Sequence, residues 1–446
     1  MKRFSAQLMN QWEKLKVDEN GVSLIMAIVA GMFLSLIGYV TVSMVVVDSK
    51  SGAAYLQSTR AFWLAESGIE LGARWLRYEI PPPGGKEPFV QYDALQAGLG
   101  SFTVTIDPDD GNPATYLKKY KIISVGTVDN FSRKLEVEME MTTFSKYIYA
   151  TADEGNSVWF NTGDVLEGPV HSNDLIFIKN NPVFMGKVTS SANSFNQGPA
   201  YAYNPDFQKG YQLGVPEVIF PTEEEALNSY WATNTETPLL TIDATGNKYA
   251  EIKFNSDGTL TYNLWKYKNK RKKKKIYYKK NVQMNIGDLG GLIYIDGNVS
   301  IEGVLKGSVT IFSTGDMNLI DDVVYACSDN AGKPSDDCAD MLGLISSKGI
   351  EVRDTEANRD NIIINAAMLA LDQSFFVEGY YRGAPRGDLT IWGSLSQKQR
   401  GVVGTHGNFK TGYYKDYHFD TRFSSSKPPY YPGTGQYHFN YWKEFD

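Results

Sequence analysis

The chain has 446 residues, enough for two or three domains with a sizeable core. A net charge of −7 gives the whole molecule no general attraction for nucleic acid. Its 28 Tyr, 22 Phe and 41 Gly, spread over short alternating runs, lean toward β structure.

The first element is a span. No charged residue occurs across 21–47, and about 20 apolar residues suffice to cross a bilayer. The run outlasts the ~7–15-residue apolar core of a secretory signal peptide, and it continues into more helix instead of a cleavage site and loop. Ahead of it, Lys2, Arg3, Lys14 and Lys16 outnumber Glu13, Asp18 and Glu19. That small positive excess fits an N-terminus kept in the cytoplasm.

The helix signal persists beyond Val47. Small or apolar residues at Ala61, Leu64, Ala65, Gly68, Gly72, Trp75 and Leu76 make a stripe of period 3.6. Arg60, Glu66, Ser67, Glu70 and Arg74 lie largely off it. The run Pro81-Pro82-Pro83-Gly84-Gly85 stops the helix. A single helix over 22–80 would be about 90 Å long. The plainest reading is a single-pass anchor attached to an outer domain.

These residues also resemble a family. Gly21 followed by Val-Ser-Leu-Ile looks like the prepilin peptidase site of type IV pilins. The segment 57–76, with Ala61-Phe62-Trp63-Leu64-Ala65-Glu66-Ser67-Gly68-Ile69-Glu70 at its centre, is similar to the signature of PilX-type minor pilins. The resemblance implies cleavage after Gly21 and a mature, N-methylated Val22. It also implies extraction from the inner membrane into a filament with other pilins and pilus assembly components. One position departs from the family. Most major pilins carry Glu as the fifth mature residue, where it neutralises the N-terminal amine of a neighbouring subunit; here that position is Met26. A carboxylate in lipid is costly unless so paired. Met26 therefore argues against a major pilin. It suits a minor, tip-located subunit, and equally an anchor that never polymerises.

Residues 86–143 read as a small antiparallel meander. Three runs alternate polar and apolar: 101–106, 116–128 and 133–141. Asp109-Asp110-Gly111-Asn112-Pro113 and Asp129-Asn130 are turn signals. The apolar face of this sheet needs cover, and the stripe over 61–76 supplies it. A helix against such a sheet is the pilin-like arrangement.

Residues 144–446 form a β-rich region of short strands with tight Gly, Asn and Ser corners, as in 174–188, 291–303, 307–319, 343–352, 361–367 and 388–395. Such spacing suggests stacked rungs of an irregular parallel β-helix, with an antiparallel sandwich as the other option. Residues 201–285 break the pattern and read as an insertion. It holds a helix at 222–231 capped by Thr222, and a strand–tip–strand unit at 260–284. Segments 340–346, 362–380, 387–404 and 412–432 resemble the large domain that follows PilX-like N-termini in several bacterial surface proteins. The expected fold is α+β, in four parts. They are a cytoplasmic leader (1–21), a long helix (22–80, spanning at 22–47), the sheet (86–143) and the β domain (144–446).

Several candidate sites stand out. The tract 266–280 carries ten positive charges, and four aromatics interleave it if Trp265 is counted. Its centre is Lys270, Arg271, Lys272, Lys273, Lys274 and Lys275, a candidate contact for DNA or an anionic surface polymer. A hairpin tip whose lysines discourage strand pairing explains the same residues. Cys327 and Cys338 bracket a polar loop that a disulfide could close. Asp329, Asn330, Asp336, Asp337 and Asp340 nearby offer oxygens for calcium, but the spacing is no EF-hand and Lys333 and Pro334 interrupt it. His171, His406, His418 and His438 show no metal spacing. Ser424 and Lys427 match SxxK only inside a Pro-flanked loop. Asp316, Asp321 and Asp322 are ordinary corner residues unless they form a glycosidase pair.

No cofactor, metal or catalytic activity is expected. The preferred reading is a minor, pilus-associated surface protein, with membrane, prepilin peptidase and other pilins as partners. It would lie in the inner (cytoplasmic) membrane as a precursor, then at the bacterial cell surface or on a pilus, presenting its β domain for adhesion or binding. The alternatives are an uncleaved single-pass protein with an outer binding domain, and a β-helical carbohydrate-active enzyme on a membrane stalk.

Overall fold

The computed structural model describes residues 2–79, 83, 85, 87–108, 119–155, 158–199, 202–231, 239–269, 274–405 and 410–445. The side chains of 2–21, 228–231 and 269 are not described. Helix α1 runs unbroken over Lys2–Tyr78, which at 1.5 Å per residue is about 115 Å. The expected start at Val22 is thus extended back through the leader, with no Pro to stop it. Of the expected stop signal, Pro81, Pro82 and Gly84 lie outside the described residues, as do the turn at 109–113 and the start of the run at 116.

After α1 comes an antiparallel meander of four strands: β1 (Phe89–Ala97), β2 (Gly100–Pro108), β3 (Lys119–Val128) and β4 (Phe131–Thr143). β1 was not expected, because its run FVQYDALQA does not alternate cleanly. It is bulged against β2, with Ala94 at φ 43°. β2, β3 and β4 alternate as the sequence does. Val104, Ile106, Ile122, Leu135, Val137 and Met139 are buried against Ala65, Ile69, Ala73 and Leu76 of α1. A fifth strand comes from the chain's other end. Gly433–Phe445 pairs antiparallel with β4, bringing Trp442 opposite Val137 and Tyr437 opposite Met141. The expected 144–446 unit therefore gives up its last strand to the sheet. The chain leaves β4 at Thr143 and returns at Gly433 directly opposite it, where Thr434 Oγ1 donates to Thr142 O at 2.9 Å.

Between those two crossings, short strands pair in parallel in long ladders. One line of aligned positions runs Leu240, Ile293, Ile311, Leu344, Met368, Leu395, Tyr149, Val170, Val188, Tyr211. At about 4.8 Å per step this line is about 43 Å long. All but Tyr211 are buried, so inward side chains stack like on like into one core. A neighbouring line holds Ser313, Ser346, Ala370, Gln397, Thr151, Ser172 and Ser190. Its serines close corners: Ser346 Oγ lies 2.8 Å from Gly315 O, and Ser190 Oγ 2.8 Å from Asp174 O. The outer face of these strands is also covered. Leu292, Phe312, Ile345 and Leu369 pack under Val218, Phe220, Ala226, Leu227 and Tyr431. Burial on both faces explains why Ser308–Ser313 and Met341–Ser346 read as continuous apolar runs instead of alternating ones.

The order along these ladders is not the order of the chain. Tyr149–Asp153 and its followers build one half, ending at Tyr211–Leu213. The chain then passes through α2 (Glu223–Trp231) to the far end at Leu240–Ala244 and works back, until Pro385–Gln399 docks on Tyr149–Asp153. Here the expected insertion at 201–285 is redrawn. Tyr211–Leu213, Leu240–Ala244 and Lys248–Phe254 belong to the ladders. Only the crossing segment with α2 and the hairpin Thr259–Asn269/Lys274–Asn285 stand apart. That hairpin continues the edge of Lys248–Phe254 in antiparallel fashion and closes one end of the stack.

At the seam between the halves lie two charge pairs. Arg400 Nη1 is 2.7 Å from Glu154 Oε2, with both side chains nearly fully buried. Lys415 Nζ is 2.9 Å from Asp164 Oδ2. The Arg400 guanidinium also sits 3.7 Å above the Phe160 ring.

Candidate functional site

The two halves of α1 have opposite surroundings. Over 22–47 every large apolar side chain is exposed, from 44% at Val29 to 73% at Tyr39. The helix Val22–Tyr78 contains a window of mean hydropathy 2.2, none of it buried. Soluble surfaces rarely carry a continuous apolar patch beyond a few hundred Å². Two hydroxyls in this stretch bond the helix's own carbonyls. Ser35 Oγ donates to Gly31 O at 2.8 Å, and Thr41 Oγ1 to Ile37 O. Hydroxyls satisfied by their own helix are what a hydrocarbon environment demands. Met26 is 68% exposed and Val22 55%, so neither is engaged by the rest of the chain. Gly21 and Val22 lie within unbroken helix.

The second half is a packing surface. Ala61, Ala65, Gly68, Gly72 and Leu76 are buried, Leu64 and Trp75 half-buried, and Ile69 and Ala73 join them. Trp75 meets Phe89 of β1 edge-on at 5.8 Å. The small residues set the distance. A Cβ on Gly68 would come within 2.1 Å of Ser124 Oγ, and one on Gly126 within 2.1 Å of Ala61 O. Trp442 of the last strand reaches over to the helix, donating to Glu66 Oε2 at 3.2 Å.

The basic tract lies on the hairpin that closes the stack. Lys270, Arg271, Lys272 and Lys273 lie outside the described residues. Of the others, Lys274 is exposed. Lys275 is engaged: its Nζ is 2.7 Å from Glu251 Oε1 and 3.9 Å from the Trp265 ring centre. Lys266 and Lys280 lie over Tyr278 and Tyr277 at 5.2 and 5.3 Å. Trp265 is buried against Tyr249. The interleaved aromatics therefore hold lysine stems on the hairpin face.

Cys327 and Cys338 are joined, with Cα atoms 5.8 Å apart. Their sulfurs and Asp340 converge within 4.8 Å, but sulfurs bonded to each other offer no thiolate, and the Asp340 carboxylate accepts the Gly307 N–H at 2.7 Å. Asp329 spends its carboxylate on the N–H groups of Ala331 and Lys333, both at 2.9 Å. Asp329 thus builds a turn, and Asp340 holds the neighbouring strand's start. The loop is tied to the ladders through Asn365 Nδ2 on Gly332 O at 2.8 Å. Asp322 accepts the Ile363 N–H at 2.8 Å. Burial raises its pKa, as does the charge of Asp321 to a smaller degree.

His406 lies outside the described residues. His171 bonds Thr189 and Asn173, and burial lowers its pKa. Ser424 and Lys427 sit in a surface recess with His438, where burial pulls the Lys427 pKa down to about 8. Sequence reasoning missed the surroundings of His418. This ring is stacked on Trp392 at 4.2 Å, with Nδ1 2.7 Å from Glu167 Oε2 and Nε2 2.9 Å from Asp416 Oδ1. Burial alone would lower its pKa, but the bonds to Asp416 and Glu167 outweigh that and raise it. It missed the seam pairs as well. Glu154 and Arg400 are 246 positions apart, and no local spacing carries that signal.

Comparison with known proteins adds three findings. A family model described as a domain of unknown function (DUF4900) matches residues 115–193, the stretch covering β3, β4 and the first ladder strands. No curated protein matches the chain. Among solved structures, the competence-associated pilin ComZ of Thermus thermophilus is similar at 12% identity and a TM-score of 0.34. That match covers 87% of this chain and 97% of that one. An overlap this loose carries no argument about what the chain does.

Proposed function

We propose that this chain is a membrane-anchored, pilus-associated surface protein: a minor, pilin-like subunit that presents a large β domain outside the membrane. One observation carries the reading. A single continuous helix is bare and apolar over 22–47 yet buried against an antiparallel sheet over 61–76. The first half needs a bilayer or the core of a filament, and the second half anchors a folded head. The resemblance of Gly21-Val22 and of 57–76 to type IV pilins supports the same assignment. The ladders of parallel strands between Tyr149 and Phe419 support reading the large domain as an irregular parallel β-helix. The prepilin peptidase would act at Gly21, and other pilins would contact the 22–47 face. Met26, without a carboxylate for a neighbour's amine, favours a tip or minor position.

The test is the mature N-terminus in the membrane fraction, read by mass spectrometry. A methylated Val22 supports the pilin route. An intact Met1 leaves an uncleaved single-pass anchor, a second reading favoured by the unbroken helix through Gly21. Recovery of the full chain from the soluble fraction overturns both.

The hairpin is the proposed anion contact of the head, with DNA or an anionic surface polymer as ligand. Binding to duplex DNA should weaken as salt rises, with a log–log slope of about −0.9 per phosphate neutralised. Binding insensitive to salt, or absent, removes this assignment.

A further inference from the structure

A recess opens at the seam where the two halves of the ladder stack meet. Its volume is about 290 Å³, at the lower end of small-ligand clefts. One wall carries Trp159, Asn161 and Lys179 from the first half; the other carries Tyr380, Thr405 and Lys415 from the second.

The polar groups on these walls are mostly donors. Lys415 is nine-tenths buried, and its Nζ donates to Asp164 Oδ2 at 2.9 Å. Among the described residues that single carboxylate is its one hydrogen-bond partner, so two ammonium protons remain. Lys179 has no carboxylate partner among the described residues and lies 5.4 Å over the Trp159 ring. Asn161 Oδ1 accepts from Thr162 N and Asn180 Nδ2, at 2.8 and 2.5 Å. Its own Nδ2 donates to no described residue. After Lys415 and Asp164 cancel, one positive charge is left at the recess.

We infer that this seam recess binds an acidic sugar residue, its carboxylate taken by Lys179 and Lys415. The chemistry of the walls selects that class. Trp159 and Tyr380 offer flat apolar faces for the C–H side of a pyranose ring. Asn161 Nδ2 suits a ring hydroxyl. The volume admits one ring, so the ligand is a terminal or branching residue of a larger glycan. The inference does not rest on the pilin reading, since the recess belongs to the β domain whether or not Gly21 is cleaved.

Calorimetric titration of the full chain in detergent with galacturonate and glucuronate oligomers tests it. Maltotriose and inorganic phosphate serve as comparators. Saturable uronate binding is expected, with little heat from either comparator. Lys179→Ala and Trp159→Ala should each weaken binding tenfold or more. Lys333→Ala, on the disulfide loop, should leave it within twofold. Both test residues are half-buried at the rim, and circular dichroism checks that each variant folds. Four results overturn the inference: no saturable uronate binding, equal binding of maltotriose, phosphate binding without uronate binding, or uronate affinity that Lys179→Ala and Trp159→Ala leave within twofold. The last locates the ligand elsewhere, with the basic hairpin as the next site to probe.

Discussion

Gly126 on β3 and Ala61 and Ala65 on α1 fix how near the helix lies to its sheet. A methyl group on Gly126 would stand 2.1 Å from Ala61 O and 2.5 Å from Ala65 N. Both are backbone atoms of a helix buried on that side, so they cannot swing away. Gly126→Ala should therefore lower stability by about 1–3 kcal/mol, as overpacking does, read as a fall in the urea midpoint. Ser124, one turn along the same contact, gives the opposite expectation. Its buried hydroxyl has no hydrogen-bond partner among the described residues, so Ser124→Ala should be neutral or slightly stabilising in the same assay. His418 supplies a pH-dependent counterpart. Its folded pKa is raised above 6.5 by Asp416 and Glu167 against the pull of burial. The imidazolium thus contributes stability that is full below pH ~6.5 and lost as pH rises through the folded pKa. Melting temperatures of wild type and His418→Gln should differ most at acidic pH and converge at alkaline pH. A gap that grows with pH would refute this.

At the level of elements, the hairpin Thr259–Asn269/Lys274–Asn285 acts as an end cap. It pairs with Lys248–Phe254, the last ladder strand at that end, and its own outer strand carries Lys274, Lys275, Lys279 and Lys280. Removing 259–285 and joining the ends with a short Gly-Ser linker would bare an edge of alternating Ala250, Ile252 and Phe254. Unprotected edges recruit other edges. The deletion variant should elute as oligomers in size-exclusion chromatography, while the intact head stays monomeric in the same detergent. The hairpin was legible in sequence because its two strands are neighbours, and so was the meander, where Leu135, Val137 and Met139 alternate with Lys134, Glu136 and Glu138. The stripe over 61–76 was legible for the same reason. β1 was not, because a bulge interrupts its alternation. Nor was the last strand, because its partner β4 lies about 300 positions earlier. The corner serines were a readable signal that passed unused. Ser313 and Ser346 each end an apolar run and stand two or three residues before a Gly.

For the whole molecule, the decisive feature is that the chain enters and leaves its ladder stack in the middle. The first half grows away from Tyr149, and the second starts at the far end and returns to dock Leu395 on Tyr149. The sheet joins both crossings at Thr143 and Gly433. The seam joins the two halves, and it contains Arg400 and Glu154, 2% and 0% exposed. Burying an ion pair gains little over a well-packed apolar pair, but breaking one by removing a single partner costs about 3–5 kcal/mol. Arg400→Met leaves the buried Glu154 carboxylate without its cation, still accepting from the Thr151 hydroxyl. Because Arg400 bonds across the seam, the loss should fall on the whole stack and not on one rung. The unfolding midpoint should drop while the transition remains a single step by both circular dichroism and tryptophan fluorescence. Adding Glu154→Gln removes the stranded charge, so the double variant should recover much of the lost stability. If Arg400→Met instead split the transition in two, the halves would be independent units, and the seam would be a contact between domains. If the double variant were no more stable than the single one, the cost would lie in the lost guanidinium packing over Phe160 and not in the unpaired charge.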